Sequence, residues 1–242
     1  MTSIPHERCV TDEPLVSVII PAVNEAATLG ATIAAIRSET RPFEIIVVDA
    51  QSSDETRAIA TAAGARLVPC ARRQRAHQLN LGARQAWGSI LLFVHADTLL
   101  PANGLDRVAE EMRNPEIVGG AFRRRYASPS PLLRLTCFLA QCRNVTIGWH
   151  LGDQAMFARR ALFFQLGGFR DVDQFEDLDF SRRLKRLGRI VTLTPCVTSS
   201  SRRFERGALR TTSRDLGLTI RYLFEGLPPA RTNREAQQPV LS

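Results

Sequence analysis

Carboxylates and amides follow directly on apolar runs at three places: Pro21-Ala22-Val23-Asn24-Glu25, Asp49-Ala50-Gln51-Ser52 and His95-Ala96-Asp97-Thr98. A carboxylate at the end of a buried strand can accept a hydrogen bond from a base or a ribose, and one beside a diphosphate can hold Mg²⁺ or Mn²⁺ through oxygen. A fourth acidic pair, Glu176-Asp177, opens a helical pattern in which its charge is stabilised by the helix N-terminus, so either carboxylate could serve as a general base toward a hydroxyl. Between these, Trp149-His150-Leu151-Gly152-Asp153-Gln154 combines an aromatic ring, a glycine and an amide that could carry an acceptor, with Trp149, Gly152, Asp153 and Gln154 as contacts. Arg202 and Arg203 could close over a diphosphate as a charged lid. Plainer roles stand beside each of these: Asn24, Ser52 and Asp54 as helix caps, Glu176-Asp177 as a capping pair, and residues 149–154 as an ordinary loop.

The elements that must position these groups read as strands over residues 15–21, 44–50, 66–70 and 89–95, the first short, β-branched and apolar as in a sheet covered on both faces. Helical spacing fills the intervals, over residues 26–37 (capped by Asn24), from a Ser52-Ser53-Asp54 cap to 63, then 75–87 and 105–113. That alternation predicts a doubly wound α/β sheet whose ligands bind at the carboxyl ends of the strands. After Pro115 the alternation weakens, with strands at 118–126, 154–157 and 190–195 and helices at 131–143, 160–166 and 175–187. The expected organisation is an N-terminal extension (1–14), a nucleotide-binding half (15–115), an acceptor-binding and catalytic half (116–205) sharing one core with it, and a basic C-terminal helix and tail (206–242).

Composition narrows the function classes. The chain has 242 residues, 44% hydrophobic and 23% charged, which is ordinary for a globular domain. Its net charge of +8 is almost wholly arginine, since Lys185 is the only lysine, so part of it reflects composition bias. Arginine suits phosphate and other anions. The five cysteines are scattered, without metal-ligand spacing, and read as reduced, mostly buried thiols. The first 14 residues lack the apolar region of a secretory signal and no stretch approaches a spanning helix, so a cytoplasmic location is expected, with peripheral contact to an anionic membrane. That contact is expected from Arg206, Arg210 and Arg214 at four-residue spacing with Leu209, Leu216 and Ile220, although the same stripe also reads as a solvated face. No nucleic-acid motif is present, and no GxGxxG follows a strand, which removes dinucleotide dehydrogenases.

The runs IIPAVNE (19–25), VVDAQSSDET (47–56), LLFVHADT (91–98) and FEDL (175–178) resemble the signatures of family-2 glycosyltransferases, over residues 15–205. The resemblance implies a GT-A fold, with a Rossmann-like, mostly parallel central sheet flanked by helices and a continuous acceptor-binding half. It also implies an inverting transfer of sugar from a UDP- or GDP-sugar to an acceptor hydroxyl, lipid-linked acceptors included, with a divalent cation, Mn²⁺ or Mg²⁺. By resemblance Ala22, Asn24, Glu25 and Asp49 line the base and ribose pocket, with Pro21, Gln51, His95 and Ala96 completing the donor site. Arg75 and Asn80 meet the diphosphate, Asp97 holds the metal, and Asp177 is the base with Glu176 as its alternative. The nearest likeness is to a bacterial radical-SAM and selenodomain-associated subgroup with an HADT motif. Two departures stand out. His95 replaces the usual first aspartate, which suits Mn²⁺ better than Mg²⁺, and Ala50-Gln51 replaces an acidic residue and glycine. A sugar-phosphate nucleotidyltransferase would want a glycine-rich basic loop after the first strand, which Pro21–Glu25 lacks. A non-catalytic nucleotide-sugar-binding protein at the membrane surface would have no need of Asp49, Asp97 and Asp177 together.

Overall fold

The computed structural model describes residues 15–40, 43–172 and 174–204, together with Gly217 and Tyr222. The expected N-terminal extension and basic tail helix therefore lie outside the described residues, as does the side chain of Arg203. In chain order the elements are β1 (Val16–Ala22), α1 (Ala26–Arg37), β2 (Phe43–Asp49), α2 (Thr56–Ala62), β3 (Arg66–Pro69), α3 (Arg75–Gln85), β4 (Ile90–Phe93), β5 (Thr98–Leu99) and α4 (Gly104–Glu111). They continue with β6 (Ile117–Tyr126), α5 (Pro131–Ile147), β7 (Met156–Arg159), α6 (Arg160–Gln165), α7 (Glu176–Lys185) and β8 (Arg189–Ser199), and single helical turns cover Gly152–Gln154 and Arg202–Phe204.

Among the described residues the eight strands join one sheet in the order β3-β2-β1-β4-β7-β6-β8-β5. From β3 to β4 the strands are parallel, and β7 runs antiparallel to both β4 and β6. The chain winds outward from β1 through β2 to β3, then returns to place β4 on β1's other side. That reversal opens a crevice at the carboxyl ends of β1 and β4.

Two apolar layers hold the sheet. Leu29, Ile33 and Ile36 of α1 pack with Val18, Ile20, Val47, Leu92, Phe122 and Phe157 on one face. Ala76, Leu79 and Ala83 of α3 pack with Ile19, Val48, Leu91, Phe163 and Phe180 on the other. Gly82 lets α3 lie against the sheet, since a Cβ there would come within 2.5 Å of the Ile19 side chain. A glycine inside a helix is then a packing requirement rather than a break.

Several expectations change at this level. Asn24 does not cap α1: its φ is +54° and its side-chain oxygen accepts from the Ser53 N–H at 2.8 Å. The Ala26 N–H is taken instead by Asp54, whose other oxygen accepts from the Thr56 N–H, so one carboxylate closes the starts of both α1 and α2. Local sequence rules cannot see an acceptor supplied from 28 residues away. Helix α5 runs past Arg143 to Ile147, where Gly148 at φ +70° ends it. Strand β8 extends beyond Pro195 to Ser199, because Val197 to Ser199 pair with the end of β6 and Thr198-Ser199 with the unforeseen β5. Leu187, at the end of the helix read over residues 175–187, is 39% exposed, and α7 itself ends at Lys185. Of the described cysteines all are free, but only Cys70 is buried and Cys142 is exposed.

Candidate active site

At the switch point lies a cavity of about 300 Å³ lined by Pro21, Ala22, Glu25, Arg75, His95 and Asp97, with Ala96, Gln78, Tyr126, Asp153 and the Ser199-Ser200 pair completing its wall. The HADT segment forms part of it through a turn fixed on every side. Thr98 donates its N–H to the His95 carbonyl, and the Thr32 hydroxyl donates to the Ala96 carbonyl at 2.9 Å. Ser200 donates its N–H to the Asp97 carbonyl, and the Thr98 and Ser199 hydroxyls meet at 3.1 Å where β5 pairs with β8. Asp97 is thus presented by a rigid backbone.

Burial pushes the Asp97 carboxyl above the ordinary range and Glu25 adds to the rise, against Arg202 and Arg75. Arg202 Nη2 lies 2.8 Å from Glu25 Oε2 and 3.7 Å from Asp97 Oδ2. Positive charge is therefore already stabilised between these carboxylates. Among the described residues no group of three or more His, Cys, Asp or Glu could hold a metal unaided. The residues present fit the kind of Mg²⁺ or Mn²⁺ site that uses one or two carboxylates and completes its shell with substrate phosphates and water.

Asp177 stands beside this cavity without lining it. Its Oδ2 accepts from the Gly152 N–H at 2.5 Å and its Oδ1 from the Leu178 N–H at 2.6 Å. A Cβ on Gly152 would sit 3.1 Å from both Asp177 Oδ2 and His95 Nε2, so a larger residue there would push on the HADT segment and the start of α7 by a few tenths of an ångström. Burial pushes the Asp177 carboxyl up, the Gly152 N–H, Arg75 and the Leu178 N–H pull it back, and Asp153 raises it again; the net shift is upward. Asp153 itself is ion-paired with the buried Arg124, which makes it the poorer proton acceptor. Glu176 is buried, 4.0 Å from the cavity-lining Arg75.

The remaining residues singled out in the sequence lie elsewhere. Asp49 is buried at the end of β2, its Oδ2 accepting from Arg57 Nε at 2.6 Å and from the Ser52 N–H at 3.2 Å, while Oδ1 has no partner. Burial alone would raise its carboxyl, but Ser52 and Arg57 outweigh it and hold it below the usual range. Gln51 is exposed at φ +59° and keeps the left-handed backbone that glycine would adopt freely. Asn80 clasps the backbone of Phe169 with both amide atoms, at 2.7 and 2.9 Å. Gln154 is buried, bonded to the Phe122 carbonyl and the Leu151 N–H. One face of the Trp149 ring is taken by a cation–π contact, the Arg182 guanidinium lying 5.0 Å from its centroid. The same guanidinium donates to the hydroxyl of Tyr222, which stacks on Phe175 at the start of α7.

Sequence reading missed Gln78, Tyr126, Ser199 and Ser200 in the wall. Gln78 offered a signal, being a polar residue on the apolar face of α3. Its Nε2 ties the Ala22 and Val48 carbonyls at the ends of β1 and β2. Tyr126 and Ser199 arrive by strand pairing alone.

Comparison with known proteins adds to this geometry. The family model for glycosyl transferase family 2 matches residues 17–168. An uncharacterised protein of Mycobacterium tuberculosis is 32% identical over 71% of this chain and 62% of its own length. A PGL/p-HBAD biosynthesis glycosyltransferase of Mycobacterium bovis is 33% identical over 64% of this chain and 63% of its own. The chain thus spans less than two thirds of these curated relatives. Among solved structures, a mannosyltransferase from Pyrobaculum calidifontis in complex with GDP-Man and Mn²⁺ superposes with a TM-score of 0.67 at 24% identity, over 85% of this chain and 61% of that one. Staphylococcus aureus TarS residues 1–349 with UDP-GlcNAc gives 0.63 at 18% identity, over 77% and 58%. These likenesses identify the fold as GT-A.

Proposed function

The chain belongs to glycosyl transferase family 2, and on that premise we propose that it transfers a sugar from a UDP- or GDP-sugar to an acceptor hydroxyl with inversion, in the cytoplasm. The observation that carries this reading is the Glu25–Arg202–Asp97 cluster at the crevice with the oriented carboxylate of Asp177 beside it, next to Gly152. The nucleotide base and ribose lie along Pro21, Ala22 and Glu25, and the diphosphate lies over Asp97 and Arg75. Asp97 would hold a divalent cation there, which when bound supplies charge neutralisation for the departing diphosphate. Arg75 and Arg202 add fixed positive charge to the same region. Asp177, pinned by two backbone N–H groups, takes the proton of the acceptor hydroxyl as that oxygen attacks the anomeric carbon. The bond from that carbon to the diphosphate breaks on its other face, so the configuration inverts and no covalent enzyme intermediate is needed. His95 beside Asp97 favours Mn²⁺ over Mg²⁺, and it is the residue by which we assign the chain to the HADT-bearing, radical-SAM-associated subgroup.

Titration calorimetry with UDP and GDP tests this reading. One of the two is expected to bind, and to bind more tightly with Mn²⁺ than with chelator. Absence of binding by both nucleotides under every metal condition would refute it.

A further inference from the structure

Helix α5 is apolar on both of its faces, yet the described fold covers only one. Leu133 and Ala140 are buried against the sheet, whereas Leu135, Phe138 and Leu139 are 52%, 64% and 57% exposed. With the exposed Cys142 they follow each other at positions i, i+3, i+4 and i+7, a continuous stripe along the helix. An apolar stripe of this kind on a protein surface marks something that covers it. At its N-terminal end opens a second cavity, of about 460 Å³, lined by Arg125, Tyr126, Ser128, Arg134, Cys137 and Thr198 among others.

Charge identifies the occupant. From Glu116 to Asp153 no acidic residue intervenes, while Arg123, Arg124, Arg125, Arg134 and Arg143 fall in that stretch. Arg124 is neutralised by Asp153, but Arg125 and Arg134, which line this cavity, are exposed. A second copy docking isologously would bring this arginine rim against itself, a repulsive arrangement. The chain beyond residue 204 contains six arginines against four acidic residues, so it offers this rim no complementary charge either. An anionic lipid bilayer matches both features, with acyl chains for the stripe and headgroup phosphates for the arginines. Helix α5 has 17 residues and carries Arg134 and Arg143, and none of the described helices is long and apolar enough to cross a membrane, so it lies on the surface.

We infer that the exposed face of α5, with the arginine-rimmed cavity at its N-terminal end, docks this protein onto an anionic lipid bilayer. The inference stands apart from the chemistry at Asp97. For the transferase proposed above it has one consequence that rests on that reading: Tyr126 lines both cavities, so a docked bilayer would deliver a lipid-borne acceptor to the edge of the donor site.

Co-sedimentation of the full chain with vesicles tests it. Binding is expected to phosphatidylcholine vesicles containing phosphatidylglycerol, and to weaken as salt is raised. The double variant Phe138→Glu/Leu139→Glu, both positions exposed, should lose about tenfold or more of that binding. Arg134→Ala, which disturbs no buried group, should lose about fivefold while keeping its thermal midpoint. Failure of the wild type to bind anionic vesicles would overturn the inference, as would equal binding to phosphatidylcholine alone or unchanged binding by both variants. A dimer in light scattering that the double variant dissolves would likewise overturn it, because the stripe would then be covered by a second copy. No sugar transfer is measured, so failure here leaves the transferase reading intact.

Discussion

Replacing Asp177 by Asn is expected to slow sugar transfer roughly 10²- to 10⁴-fold, the share a positioned general base supplies, while affinity for the nucleoside diphosphate stays as in the wild type. The separation follows from position, because Asp177 is not part of the cavity wall. Asparagine keeps the shape but offers one acceptor atom where the native carboxylate serves two N–H groups, those of Gly152 and Leu178. One of those donors loses its partner, which costs about 1–3 kcal/mol, so a lower thermal midpoint is expected as well. Measuring kcat and the donor KM separately distinguishes lost chemistry from lost structure. In the wild type, a carboxyl whose pKa is raised accepts a proton only above that raised value. The acid limb of the pH–rate profile should therefore lie above the ~4 of an ordinary carboxylate, and a limb at or below it would remove Asp177 from the role.

Asp97→Ala is expected to abolish the metal dependence of nucleotide binding and to lower kcat by roughly 100-fold or more, the scale on which removing one preorganised electrostatic group acts. The backbone of the HADT turn should persist, since its bonds run through the carbonyls of His95, Ala96 and Asp97 rather than the lost carboxylate. Arg202 keeps Glu25 as its partner at 2.8 Å. Nucleotide titration with and without Mn²⁺ checks this, and a variant that still gains affinity from the metal would place the cation elsewhere.

The two substitutions probe segments that were legible in the sequence for physical reasons. Strands β1, β2 and β4 are buried on both faces, which writes short runs of mainly large aliphatic residues, and each run ends at its polar cluster. Helix α1 repeats Leu29, Ile33 and Ile36 against the sheet and was bounded correctly. Legibility faded after Pro115, because β6, β7 and β8 pair out of sequence order and antiparallel as well as parallel, so their partners cannot be inferred from neighbours in the chain. The same non-locality hid four features of the site. Tyr126 and Ser199 reach the cavity through pairing of β6 with β8. Asp54 caps a helix that begins before it. Arg182 covers one face of Trp149. The close approach at Gly152 depends on where α7 docks, which no local pattern encodes.

A crystal structure of this chain with Mn²⁺ and the nucleoside diphosphate it binds would show where donor and metal sit. The diphosphate is expected in the crevice between β1 and β4, with a metal ion ~2.1 Å from an Asp97 carboxylate oxygen and Arg202 drawn from Glu25 toward the phosphates. A nucleotide seated in the second cavity beside α5, or a metal held without Asp97, would contradict this placement.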